Sequence, residues 1–253
     1  MKKNAPHIPW IHADEALPPA DSAFGPESGL SGLVAAGGGL AVSRLVEAYS
    51  SGMFPWYSDG QPVLWWSPDP RMVLPTENFK LHRSLRKTLQ HFSQDVHSSI
   101  RIDSAFEAVI RACAQAPRSG QLGTWIVDDM IHAYIDLHRA GFAHSVETWI
   151  DDELVGGLYC VSIGNTLFGE SMFAKRSNAS KIALSALVAF ARSQGLTWID
   201  CQQNTKHLAS LGAKEMPRTE FLQLVAQAPK HRNLSWAFEP RYWQTLLTPK
   251  AEL

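Results

Sequence analysis

The chain has 253 residues, of which 45% are hydrophobic and 19% charged, and a net charge of −1. That is enough apolar material for a full core, and it excludes both a disordered chain and a globally basic nucleic-acid binder. The three cysteines, Cys113, Cys160 and Cys201, are odd in number and form no Cys-x-x-Cys pair, so neither a disulfide framework nor a thiolate zinc site is expected. Lys2 and Lys3 are followed by prolines and polar residues rather than by the apolar run of a signal peptide. The longest apolar stretch, residues 182–191, reaches about half of the roughly 20 residues that span a bilayer. A cytoplasmic protein with no membrane partner is the expectation.

The first forty residues are rich in proline and glycine (Pro18-Pro19, Gly25-Pro26, Gly37-Gly38-Gly39) and read as irregular structure tied down by Trp10 and Phe24. The glycine triplet lacks the ending of a phosphate loop and the spacing of a dinucleotide loop, so it reads as a turn. Leu40, Leu45, Val46 and Tyr49 have helical spacing, which predicts a helix over 40–51 stopped by Gly52. An aromatic block follows: Phe54-Pro55-Trp56-Tyr57, then Trp65-Trp66 ahead of Pro68 and Pro70. Its prolines argue against a regular central strand. Two readings stay open, a wedge of core aromatics joining two subdomains or a flat platform for a base. Between Arg71 and Arg101 stand six basic and two acidic residues, which read either as a local basic face or as an ordinary solvated helix surface.

From His144 the pattern changes. Residues 144–150 alternate as a strand, Asp151-Asp152-Glu153 reads as a turn, 154–163 as a second strand, and 166–168 as a third after Gly164-Asn165. That is an antiparallel meander. Ser177 or Asn178 can cap a helix that runs to Ser193-Gln194 and closes at Gly195. Residues 196–202 are then a short buried strand, with helices expected over 205–211 and 220–227.

The strand ending at Phe168, the helix and the strand from Leu196 form a strand-helix-strand unit, whose crossover implies parallel strands. Ligands in such sheets sit beyond the carboxyl ends of the strands. Glu170 stands at the first of those ends and Asp200 and Gln202 at the second. Strand alternation puts Asp200 and Gln202 on one face and Cys201 on the other, as a small core residue. Glu170, Asp200 and Gln202 are therefore candidates to converge on one crevice. Blander roles stand beside this: a cap or surface ion pair for Glu170, an N-cap for Asp200, core packing for Met172 and Phe173.

No Gly-x-Ser-x-Gly elbow or His-Glu-x-x-His helix occurs, and His132, His138 and His144 do not share a helix face, so no metal site is expected. The order of elements suits an acetyl-coenzyme A acyltransferase. Yet the Gly/Ala-rich pyrophosphate loop of such an enzyme is missing between Glu170 and Ala179. That raises the question of what carries the acyl group, and it weakens an acetyl-coenzyme A N-acetyltransferase without excluding it.

The segments Gly52-Met-Phe-Pro-Trp-Tyr57, Trp65-Trp-Ser-Pro-Asp-Pro-Arg71, Gly123-Thr-Trp-Ile126, Gly169-Glu-Ser-Met-Phe173, Ile199-Asp-Cys-Gln202 and Ser210-Leu-Gly-Ala213 occur in that order. Through them, and through His138 to Glu147, Glu153 to Tyr159 and Asn178 to Lys181, the chain resembles the leucyl/phenylalanyl-tRNA–protein transferases. Three departures accompany the match: Gly39 stands where the family usually has Asp, Cys160 where it has Gly, and Ala174, beside the expected site, where it has Ser.

The resemblance implies an α+β chain with a small N-terminal α/β domain (1–70) and a C-terminal GNAT-like acyltransferase domain (71–253). It also implies transfer of Leu or Phe, and weakly Met, from Leu-tRNA or Phe-tRNA to polypeptides with N-terminal Arg or Lys, marking them for degradation by the N-degron pathway. Aminoacyl-tRNA replaces the coenzyme, so no cofactor is expected, and the chain is expected to act as a monomer. In this setting Gln202 would hold the attacking amine or the ester carbonyl, and Asp200 would orient Gln202 and stabilise the ammonium formed. Glu170 would meet the acceptor's amine or its cationic side chain. Met172, Leu184, Leu187 and Ile199 would wall the aminoacyl pocket, Trp56 and Trp125 would stack on the terminal adenine, and His82, Arg83, Arg86 and Lys87 would track the tRNA backbone. A non-catalytic tRNA-binding module stands beside this as the reading from another class.

Overall fold

The computed structural model describes residues 7–116, 126–229 and 234–248. Its first part is a small sheet. Strands β1 (Trp10–Ile11), β2 (Leu33–Gly37), β3 (Phe54–Pro55) and β4 (Leu64–Trp66) are ordered β1-β2-β4-β3, and helix α1 (Val42–Ser50) crosses between β2 and β3. The expectation of irregular structure up to residue 40 therefore needs correction. β2 is buried along its whole length and pairs antiparallel with β4. Glycines at both ends hid it: Gly32 and Gly37 have φ of +88° and +91°, and a Cβ on Gly37 would lie 2.5 Å from the Ile11 carbonyl. Gly38 and Gly39 continue in the left-handed region, so the triplet is the turn its composition suggested.

The second part is a seven-stranded sheet. It begins with β5 (Arg71–Pro75), α2 (Arg83–Gln94), β6 (Ser98–Ile102), α3 (Phe106–Gln115) and α4 (Asp128–Arg139). The meander follows as β7 (Ala143–Ile150), β8 (Glu153–Ile163) and β9 (Thr166–Ala174), then α5 (Ala179–Ser193) and β10 (Trp198–Gln202). α6 (Lys206–Ser210), β11 (Lys214–Met216), α7 (Arg218–Gln227) and the short α8 (Gln244–Leu247) complete it. The strand order is β11-β5-β10-β9-β8-β7-β6, in which β9 and β10 are parallel and the other neighbours antiparallel. The fold is α+β, with the meander and strand-helix-strand unit that the sequence predicts.

The β7–β8 hairpin turns through Asp151 and Asp152, both with φ above +50°, the left-handed pair that a two-residue turn requires. α5 is buried on nearly every side, as its largely apolar composition demands. One face lies on the sheet, while Tyr242, Trp243 and Leu246 cover the outside. Asn178 sits at the N-cap position with φ 65°, but its side chain makes no capping bond, and Gly195 follows the helix at φ 69°. On the opposite face of the large sheet, α1, α3, α4 and the small sheet share one core through Leu45, Tyr49, Trp65, Val109, Tyr134 and Phe168. The small sheet ends at Trp66 and the large one begins at Arg71, yet their apolar side chains pack as one body. Among the described residues no helix is long and apolar enough to cross a membrane.

Candidate active site

A cleft of about 480 Å³ opens where the middle of β9 and the carboxyl end of β10 meet α5, α6 and the Phe54–Trp56 corner of the small sheet. Two β-bulges shape it. Between β8 and β9 the register passes from Tyr159↔Ser171 to Cys160↔Gly169, leaving Glu170 without a partner in the ladder. Between β5 and β10 it passes from Asp200↔Val73 to Gln202↔Met72, leaving Cys201 without one. Bulges re-aim side chains, and here the two aim Glu170 and Gln202 at each other. Gln202 Nε2 donates to Glu170 Oε1 at 2.9 Å.

Glu170 keeps a small opening onto the cleft and is otherwise enclosed. Tyr134 donates its hydroxyl to Glu170 Oε2 at 3.4 Å, and the Tyr134 and Tyr49 hydroxyls are hydrogen-bonded to each other. Burial pushes the Glu170 carboxyl up to about 8; the Asp200 charge adds to the rise, while the Tyr49 and Tyr134 hydroxyls and the Arg71 charge oppose it. Both tyrosines are themselves raised, first by burial and then by Glu170. Neither tyrosine was singled out from the sequence as part of a site. Tyr49 was visible only as an apolar position of α1, and Tyr134 carried no signal.

Asp200 departs from its expected place. It is fully buried, and Arg71 takes both its oxygens, Nε at 2.8 Å and Nη2 at 2.6 Å. Its carboxylate does orient Gln202, but through the backbone: the Gln202 N–H donates to Asp200 Oδ1 at 3.0 Å. With no surface on the cleft it cannot reach an ammonium there, and that expected contact is withdrawn. Cys201 is corrected in the opposite sense, since it lines the cleft beside Gln202. The bulge is the reason, because strand alternation holds only along an unbroken ladder. Burial raises the Cys201 thiol and keeps it neutral.

Met172, Leu184, Leu187 and Ile199 all line this one cleft, joined by Leu158 and Leu208, which the sequence did not single out. Trp56 forms the facing wall with Phe54, its ring tilted against Trp66. Trp125 lies outside the described residues. Of the basic set, none lines the cleft. Arg83 and Lys87 are exposed on α2. His82 Nε2 bonds the Ser210 carbonyl, and Arg86 Nη1 donates to the carbonyls of Leu246 and Leu247. Those two side chains are committed to the fold and are corrected as free phosphate contacts. Ala174, expected beside the site, is exposed at the far end of β9, opposite Gly156. His138 and His144 do approach each other, with ring centroids 6.5 Å apart. Among the described residues, however, no three His, Cys, Asp or Glu side chains are placed to hold a metal ion.

Two family profiles match the chain: leucyl/phenylalanyl-tRNA protein transferase over residues 73–226, and the N-terminal domain of the same over 38–69. A leucyl/phenylalanyl-tRNA–protein transferase of Polaromonas sp. is 60% identical over 241 residues, 95% of this chain and 94% of that one. One from Albidiferax ferrireducens is 55% identical over 251 residues, 99% of each. Among solved structures, FemX overlaps 63% of this chain and 64% of its own, at 10% identity and a TM-score of 0.43, too slight a likeness to bear on the chemistry. Matches this long and this close, spanning both sheets and the cleft between them, mean that the chain belongs to the leucyl/phenylalanyl-tRNA–protein transferase family and is an aminoacyltransferase.

Proposed function

We propose that the chain moves leucyl or phenylalanyl, and methionyl more weakly, from aminoacyl-tRNA to the α-amino group of polypeptides that begin with Arg or Lys, marking them for the N-degron pathway. The observation that carries this reading is the cleft. Its apolar wall of Met172, Leu184, Leu187 and Ile199 ends at the Glu170–Gln202 pair, so an apolar side chain can be buried with its ester carbonyl beside a carboxyl and a carboxamide. Shape selection against Val or Ile gives about 1–3 kcal/mol, which leaves room for Met.

In the reaction the acceptor nitrogen attacks the ester carbonyl and a C–N bond forms. The bond to the ribose oxygen of the tRNA breaks, and the proton lost by the amine ends on the departing hydroxyl. The ester is already activated, so the site contributes chiefly position, and the reaction as proposed uses no cofactor. Gln202 holds the amine or the ester carbonyl through its carboxamide. Glu170, at about 8, is matched to an α-amine of roughly 7.7–8.0 and exchanges the proton with it. Trp56, on the cleft wall, stacks on the terminal adenine in this reading, a role the resemblance extends to Trp125, while the exposed Arg83 and Lys87 meet the tRNA backbone. The chain acts in the cytoplasm as a monomer, and a division at residue 70 separates the aromatic-rich small domain from the catalytic one.

Transfer of labelled Leu from Leu-tRNA to a peptide beginning with Arg tests the reading. A matched peptide beginning with Ala, and free Leu with uncharged tRNA, are the controls. Transfer is expected only to the Arg peptide and only from charged tRNA; equal transfer to the Ala peptide would remove the proposed acceptor.

A further inference from the structure

Arg71 stands in a basic run of the sequence, yet its side chain is completely enclosed. We propose that Arg71 is a positioning residue of the transfer site: its guanidinium fork holds Asp200 in the orientation that fixes the Gln202 backbone, and so aims the Gln202 carboxamide at Glu170. The inference rests on the transferase reading above.

Asp200 Oδ1 accepts two hydrogen bonds, from Arg71 Nε and from the Gln202 backbone N–H, while Oδ2 accepts one from Arg71 Nη2. Gln202 needs that support. It follows the bulge at Cys201 with φ +56°, a left-handed backbone that a non-glycine residue keeps only when its surroundings impose it. From that backbone its side chain reaches Glu170 Oε1. The contacts thus run in one line from the interior to the cleft, Arg71 to Asp200 to Gln202 to Glu170.

The guanidinium is itself fixed. It packs over the rings of Phe54 and Phe221, 4.9 and 4.3 Å from their centroids, and Phe54 also forms part of the cleft wall. Among the described residues its Nη1 has no hydrogen-bond partner. A buried ion pair with one donor unsatisfied is a poor stabiliser beside an apolar pair of equal volume. What the fork supplies instead is geometry, since two parallel bonds fix a carboxylate plane and the single point charge of a lysine does not.

The test compares Arg71→Lys with the unaltered protein by Leu transfer kinetics, tRNA binding, thermal unfolding and the amide NMR signal of Gln202. The expected result is a kcat lower by about 10²-fold at temperatures where the variant remains folded, with KM for Leu-tRNA and tRNA affinity nearly unchanged and a lower melting temperature, since a buried pair is loosened. The Gln202 amide proton should move upfield as its bond to the carboxylate loosens. Should Arg71→Lys fail to fold, Phe221→Leu keeps the ion pair and removes one of the two rings against the guanidinium; a smaller loss of kcat with the same upfield shift is then expected. An unmoved Gln202 amide, or a kcat that falls only in step with melting temperature, would overturn the inference. Absence of transfer by the unaltered protein strikes the transferase reading instead, while the amide signal reports on Arg71 without any turnover.

Discussion

Glu170 binds its proton more tightly in the folded chain than in water, because burial disfavours the carboxylate more than the two tyrosine hydroxyls favour it. The unfolded chain releases that proton near the ordinary carboxylate value and the folded chain near 8. Glu170 therefore contributes its full stability at low pH, and loses it as pH rises through the interval between the two values. Glu170→Gln should flatten the stability profile over that interval by on the order of 1 kcal/mol per pH unit, measurable by urea unfolding at several pH values. The same substitution should lower kcat/KM by about 10²-fold or more, and leave only the acceptor amine to set the acidic limb. An acidic limb as steep as that of the unaltered protein would show that Glu170 takes no proton. Gln202 was legible in the sequence, because strand ends in a parallel pair are where ligands collect; Glu170 was reached only by ending β9 at Phe168, and it is the bulge inside the longer strand that turns it to the cleft. The orientations of Asp200 and Cys201 were not legible, since the bulge that decides them depends on the ladder with β5, a strand 129 residues from Asp200 in sequence.

The central elements of the large sheet were readable from their periods: the meander, α5 and the parallel return of β10. β9 was read too short. It runs on through Gly169-Glu170-Ser171 to Ala174 because the eleven-residue β8 offers it hydrogen-bond partners, which outweigh a sequence poor in strand formers. α5 approaches β8 closely enough to require a glycine there. A Cβ on Gly156 would lie 2.5 Å from the Ala179 Cβ and 2.9 Å from its carbonyl carbon. Gly156→Val should therefore lift the first turn of α5 and cost about 1–3 kcal/mol in denaturant unfolding. The cleft should suffer with it, since Leu184 and Leu187 ride on the same helix. Unchanged stability would mean that the helix shifts without strain.

At the scale of the molecule, Arg83 and Arg86, neighbours on α2, do different work. Arg86 and Arg192 hold the C-terminal segment, Arg86 through Leu246 and Leu247, Arg192 through Thr245 and, on its other side, Thr76. Arg83 and Lys87 point to water. Replacing Arg83 and Lys87 together by Ala should weaken tRNA binding and reduce the slope of log affinity against log salt by about 1–2, with stability unchanged. Arg86→Ala should do the reverse, lowering stability and leaving the slope alone. A salt slope unaffected by the double replacement would move the tRNA track to another face.

The sequence by itself determined the fold class, the meander and its crossover helix, the family, and the composition of an apolar wall ending in a carboxyl and a carboxamide. Those follow from local periodicity and from motifs carried by short segments, which one chain displays in order. The tertiary structure decided that β2 exists within a glycine-rich stretch, that Asp200 faces Arg71 rather than the cleft, that Tyr49 and Tyr134 stand behind Glu170, and that Arg86 belongs to the fold. Each of these is a pairing between residues far apart in the chain, and each depends on which buried polar groups must satisfy one another once water is excluded.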